Sequence, residues 1–181
     1  MLEDKFFTDI NDLQDKLKKE SGKIISLTTG CFDVLHNGHK EYLKDAKSRG
    51  DILIVLLQSD ELVGQRKGTK EKPRPIYIAI DRASQLFNAK EYKGIIDYIL
   101  VVKSVTDIYE SIEKINPNVL VLSESTEDDE TSPKRMKEYF ETYFADKIVV
   151  NILPPKSQIH SSDIIEQKGI KPNWRGNIKL K

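Results

Sequence analysis

Two of the chain's three histidines, His36 and His39, fall in the stretch GCFDVLHNGH together with one carboxylate, Asp33, and two glycines, Gly30 and Gly38. The stretch follows an apolar run of β character, KIISLTTG, and leads into HKEYLKDAKSRG, which reads as a helix. A helix start presents backbone N–H groups that attract anions. Two imidazoles separated only by Asn37 and Gly38 can set their ring N–H groups on the same side of that start. The chemistry these residues suit is phosphate binding. Gly38 removes a side chain where a phosphate must come close, and Gly30 lets the strand turn sharply beneath it. Two other readings stand beside this one: a metal site, although His-Asn-Gly-His lacks supporting Cys or Glu spacing, and a pair of capping or core histidines with no ligand. The third histidine, His160, sits in IHSSDII, where Ser161 and Ser162 open another helix. Their hydroxyls and backbone N–H groups suit phosphate oxygens, or plain N-capping.

These groups need elements to bring them together. FTDINDLQDKLKKESG has Phe7, Ile10, Leu13 and Leu17 near helical spacing, which predicts an N-terminal helix. Strands are then expected at KIISLTTG, DILIVLLQSD, DYILVVK, NVLVLS and KIVVNILPP. DILIVLLQ is continuously apolar, the pattern of a parallel strand covered on both faces. Helical stretches lie between the strands, at HKEYLKDAKSRG, IYIAIDRASQLFNAKEY, VTDIYESIEKIN and KRMKEYFETYFA, and a short one follows at HSSDIIEQKG. The segment QSDELVGQRKGTKEKPRP reads as a loop. The expected architecture is α/β: one Rossmann-like domain with a doubly wound, five-stranded parallel sheet and helices on both faces. Residues 1–22 would form the packed N-terminal helix, 23–168 the domain and 169–181 a tail. In such a sheet, ligands bind beyond the carboxyl ends of the strands. The loops after the first, second and fifth strands should therefore meet on one edge, and all three histidines lie in two of them.

Composition narrows the partner. The 181 residues carry 29 Lys+Arg against 29 Asp+Glu, so no global basic field draws the chain to nucleic acid or an anionic membrane. Its apolar runs fall well short of the roughly 20 residues of a membrane span, and MLEDKFFTDINDL is too acidic and broken for a secretory signal. A cytoplasmic protein with a small, soluble ligand is expected. Cys31, the one cysteine, excludes an internal disulfide and a Cys-cluster zinc site, and its thiol reads as a small core group.

With these motifs in order, the chain resembles the HxGH nucleotidyltransferase superfamily related to cytidylyltransferases. The stretch from LQDKLKK through LLQSD, followed by RKGTKEKPRPIYIAIDRASQL, is similar, nearly segment by segment, to the adenylyltransferase domain of ADP-heptose synthases. Glycerol-3-phosphate cytidylyltransferases and archaeal FAD synthetases share the plan. The resemblance implies attack by an acceptor phosphate on the α-phosphorus of a nucleoside triphosphate, ATP or CTP, with magnesium accompanying the nucleotide. It implies His36, His39 and Lys67 as the catalytic set, acting electrostatically. Thr29, Gly30, Cys31, Phe32, Asp33, Gly38, Ile159, Ser161 and Ser162 are implied for nucleotide binding, and Arg66, Arg74, Arg82 and His160 for phosphate or acceptor. Asp33 is expected to fix the loop, or to help hold magnesium through water, rather than to act as a base. The expected partners are a nucleoside triphosphate and a small phosphorylated sugar or alcohol. Nucleic acid and membrane are not expected, and dimers are frequent among the relatives.

The chain departs from the pattern in two places. LSESTEDDETSP replaces the Lys-Gly-Gly-Asp-Tyr-like stretch of heptose-phosphate relatives, and its acidic run reads as a solvated loop. LPPKSQIHSS lacks the arginine that glycerol-phosphate enzymes carry ahead of Ile-Ser-Thr-Thr, so a cytidine preference has no support there. His160 stands where bacterial relatives carry serine, a version that resembles the FAD synthetases. FMN adenylylation and an inactive nucleotide-binding regulator are the competing readings. An RNA-directed ligase of the same HxGH plan is disfavoured by the short chain and zero net charge.

Overall fold

The seven residues Ile52–Gln58 are all buried, as a strand covered on both faces must be. In the computed structural model, which describes residues 4–124, 129–157 and 161–172, this strand is central in a six-stranded, wholly parallel sheet. The strands are β1 (Phe6–Phe7), β2 (Ile25–Gly30), β3 (Ile52–Gln58), β4 (Tyr98–Val102), β5 (Val119–Ser123) and β6 (Val149–Leu153). Their order is β1-β4-β3-β2-β5-β6. The helices are α1 (Ile10–Lys18), α2 (Asn37–Lys47), α3 (Asp60–Lys67), α4 (Ala79–Asn88), α5 (Val105–Ile115), α6 (Pro133–Tyr143) and α7 (Ser161–Lys168).

The alternation of β3 divides the core in two. Ile52, Ile54 and Leu56 pack with Leu13 of α1, Ile108 and Ile112 of α5, and Met136 and Phe140 of α6. Leu53, Val55 and Leu57 pack on the other face with Leu43 and Ala46 of α2 and Ala83 and Leu86 of α4. Each fully buried Leu or Ile contributes about 1.5–3 kcal/mol of transfer free energy, which makes the sheet a stiff platform for the loops at its edge.

The Rossmann-like reading holds, with two corrections. The sheet has six strands rather than five, because Phe6 and Phe7 add a parallel edge strand that pairs with Ile99 and Leu100 of β4. Phe7 therefore belongs to β1, and α1 starts only at Ile10, after Asp9 accepts from the Asn11 N–H as its cap. The segment expected as a loop after β3 folds into α3, capped by Ser59, whose hydroxyl accepts from the Leu62 N–H at 3.2 Å. Among the described residues, no helix is long and apolar enough to cross a membrane.

Candidate active site

The strand order reverses between β2 and β5, whose helices leave on opposite faces, and a crevice opens there at the carboxyl ends of the strands. It is a cavity of about 800 Å³, within the range of small-ligand sites. The loops after β2, β3 and β6 all reach it, as the sequence implies, through Cys31 and Phe32, Arg66 and Lys67, and Pro155 to Ser157. The end of β5 and the start of α6 close the remaining side with Ser123, Glu124, Asp129 and Thr131.

His36 and His39 stand at the centre of one wall. His36 occupies the N-cap position of α2 with extended backbone, and its side chain makes no capping hydrogen bond. Its ring stacks on that of His39, centroids 3.9 Å apart and planes 28° off parallel. Phe32 also meets His39 edge-on, at 5.3 Å. The backbone beneath is held as well: the Tyr92 hydroxyl donates to the His36 carbonyl at 2.7 Å. Gly38 is needed for a reason the sequence did not show. A Cβ there would lie 2.7 Å from the Ser157 Cβ and 2.9 Å from the His36 ring, so its absence lets the loop after β6 and the imidazole close over α2. At Gly30 a Cβ would meet the Phe32 ring at 2.8 Å, and Phe32 turns back with φ 45°.

Burial, then the neighbouring charges of His36 and Lys67, push the His39 imidazole down to about 3. The ring is neutral at pH 7 and keeps one N–H to donate. Its Nδ1 is buried with no hydrogen-bond partner among the described residues. Because the folded value lies below the ordinary 6.5, the unfolded chain binds the extra proton first. The stability contributed by neutral His39 is complete above about pH 6.5 and is lost as pH falls toward 3. Urea unfolding of wild type and His39→Gln across this window is expected to show a shallower acid decline for the variant; parallel curves would contradict the assignment.

The cations sort into two groups. Arg66 and Lys67 line the cavity from the last turn of α3, Arg66 with its Nη2 2.6 Å from Asp129 across the opening. The charge of Lys67, which lines the same cavity, acts on both His39 and Cys31. Burial pushes the Cys31 thiol up, but Lys67, Arg74 and Arg82 outweigh it and leave the thiol below its usual value. The cations that border or underlie the crevice thus act on Cys31 in a chain whose net charge is zero.

Arg82, implied near the phosphates, and Arg74, implied to frame the acceptor, are buried, and neither is among the residues that line the cavity. Arg82 is 0% exposed; it donates to the carbonyls of Tyr77 and Cys31 and pairs with Asp60 at 2.7 Å. Arg74 donates from Nε to Asp33 at 2.6 Å. Asp33 also accepts from the Ile76 and Tyr77 N–H groups, so both of its oxygens are engaged by protein. That geometry makes Asp33 a loop anchor and leaves it no place on a magnesium ion. No group of three or more His, Cys, Asp or Glu able to hold a metal occurs among the described residues.

Of the remaining candidates, the Ser161 hydroxyl donates to the Val34 carbonyl at 2.9 Å, tying α7 to the histidine loop, while Ser162 is exposed. Thr29 donates its hydroxyl to the Leu56 carbonyl at 3.2 Å. Ile159, His160 and residues 125–128 of the acidic run lie outside the described residues, as does the tail beyond 172. Sequence reasoning missed Tyr42, Tyr92 and Gln58. The Tyr42 hydroxyl bridges Thr28 at 2.6 Å and the Val121 carbonyl at 3.0 Å, joining β2 to β5 under the crevice. Its position three residues after His39 on α2 was the only signal.

Comparison with known proteins agrees with this geometry. The Cytidylyltransferase-like family model matches residues 27–167. The bifunctional protein HldE of Sulfurimonas denitrificans is 47% identical over 106 residues, 59% of this chain and 20% of that protein. HldE of Aliarcobacter butzleri is 42% identical over 117 residues, 65% of this chain and 23% of that protein. The chain thus spans about a fifth of the length of these curated relatives. Among solved structures, the lipopolysaccharide core biosynthesis protein of Thermoplasma volcanium superposes with a TM-score of 0.54 at 24% identity, covering 77% of this chain and all of that one, a likeness of fold alone. A stacked histidine pair at a helix start over the switch point, and a family match spanning the sheet from β2 to α7, lead to one assignment: the chain belongs to the cytidylyltransferase-like family of nucleotidyltransferases.

Proposed function

We propose that the chain transfers AMP from magnesium-bound ATP to a phosphorylated sugar of the heptose 1-phosphate class, releasing pyrophosphate. The single observation that carries the phosphoryl chemistry is the stacked His36–His39 pair at the start of α2, in a crevice that Arg66 and Lys67 also line. The choice of ATP and a sugar phosphate rests on identity to the HldE proteins and on the segment-by-segment resemblance to ADP-heptose synthase adenylyltransferase domains.

An acceptor phosphate oxygen attacks the α-phosphorus, a new P–O bond forms, and the bond to the β-phosphate bridging oxygen breaks. The acceptor phosphate is already ionised, so no protein base is required. The chain's part is positioning and charge stabilisation. The imidazoles of His36 and His39 donate to triphosphate oxygens as charge builds, and Lys67 holds the reacting phosphates from α3. Arg66, already paired with Asp129, sets the far wall.

Pyrophosphate release tests this, with ATP and CTP each offered heptose 1-phosphate, glycerol 3-phosphate, other sugar phosphates and FMN in the presence of magnesium. The expected signal is strongest for ATP with heptose 1-phosphate. A signal confined to CTP with glycerol 3-phosphate would replace the substrate pair. No pyrophosphate from any pair, with nucleotide still bound, would mean a regulator.

A further inference from the structure

Gln58 closes β3 at the level of Cys31, one step beyond the Gly30–Leu57 pair. It is 4% exposed and lines the crevice. Its Oε1 is buried and has no hydrogen-bond partner among the described residues. The position is unusual within its own strand, because the six preceding residues, Ile52 to Leu57, are apolar and all are buried. A buried acceptor without a donor costs stability, and a leucine or methionine there would cost nothing of the kind. Such a group is retained in a ligand site when a ligand satisfies it.

The donor that suits it follows from its neighbours. Gln58 ends the strand that leads into α3, whose last turn carries Arg66 and Lys67, so a glutamine with a buried, unpaired amide oxygen and two cations line the same crevice. A molecule with a phosphate and a hydroxyl matches that combination: the phosphate meets the cations and the hydroxyl donates to the amide oxygen. We infer that Gln58 is a specificity residue for the phosphorylated acceptor, its Oε1 accepting a hydrogen bond from an acceptor hydroxyl. This rests on the proposed transferase reading and deepens it, since it requires the acceptor to be a polyol or sugar phosphate.

Gln58→Leu keeps the side-chain size and removes the polar atoms. The variant is expected to melt at or above the wild-type temperature, because an unsatisfied buried acceptor is gone. In the pyrophosphate assay with magnesium-ATP and heptose 1-phosphate, its KM for the sugar phosphate is expected to rise at least tenfold while its KM for ATP stays within twofold. Gln58→Asn, which keeps an amide oxygen on a shorter stem, should recover part of the loss. A structural glutamine would give a different pattern, a lower melting temperature with both KM values displaced or neither. An unchanged sugar-phosphate KM in an active Gln58→Leu enzyme would overturn the inference alone, as would a rise confined to ATP. Wild-type silence with every nucleotide and acceptor pair of the panel would remove the transferase reading, and the inference with it.

Discussion

Replacing His36 with alanine is expected to lower turnover by about 100- to 1,000-fold, the loss typical of one preorganised donor to transition-state charge. The backbone should not object. His36 has φ −145° and ψ 172°, ordinary extended values for an N-cap, and its side chain does no capping. Its carbonyl still accepts from the Tyr92 hydroxyl at 2.7 Å after the side chain is gone. The cost in stability should be small beside the loss of turnover, and it includes one side of the His39 stack. The loss should fall on kcat more than on the KM for nucleotide, since charge on the transferring phosphate grows in the transition state. His39→Ala makes the instructive comparison: His39 is also packed against Phe32, so its removal should reduce both activity and melting temperature. An activity in His36→Ala within a few-fold of wild type, at a single-turnover step shown to be chemistry, would remove the histidine pair from the mechanism.

The sequence carried some of this and hid some, for physical reasons that differ residue by residue. An unbroken apolar run is a strong sign of a strand covered on both faces, and β3 is that strand. The histidines were legible because short-range spacing at a helix start fixes geometry almost without tertiary help. Helix α3 was not legible. Its only buried side chains, Leu62 and Val63, are adjacent and do not repeat at helical spacing, and Gly64 follows them. Strand β1 has two residues, too few for any period, and exists because β4 offers it an edge. The arginines show a different limit. Arg66, Arg74 and Arg82 look alike in sequence, yet one borders the crevice and two are ion-paired beneath it. What separates them is which carboxylate each meets, Asp129, Asp33 or Asp60, and those partners lie 63, 41 and 22 residues away. Gln58 was hidden for the opposite reason, as an ordinary polar strand end whose burial only the fold reveals.

Asp33→Ala should be the most destabilising substitution near the site, by about 3–5 kcal/mol, although Asp33 touches no cavity space. Asp33 is 1% exposed and Arg74 8%, with the carboxylate 2.6 Å from the guanidinium Nε. Removing the acid leaves the arginine's charge buried and leaves the Ile76 and Tyr77 N–H groups without their acceptor. For a chain of this size the melting temperature should drop by roughly 10 °C. Asp33→Asn keeps the shape and one acceptor oxygen and should cost less, but its amide turns N–H groups toward donors. The decisive comparison is with the double variant, Asp33→Ala with Arg74→Met. Removing both charges takes away the uncompensated guanidinium, so the pair should be more stable than Asp33→Ala alone, and the two effects should be strongly non-additive. Additive losses, or a single-variant cost below about 1 kcal/mol, would mean that the ion pair does not hold the loop. The consequence for function runs through geometry. Asp33 anchors the segment that carries Phe32 and leads into His36, so the double variant tests whether the histidine wall is seated by this buried pair. If it is, the double variant should regain stability but not turnover, because a floor without charges no longer fixes where the two imidazoles stand.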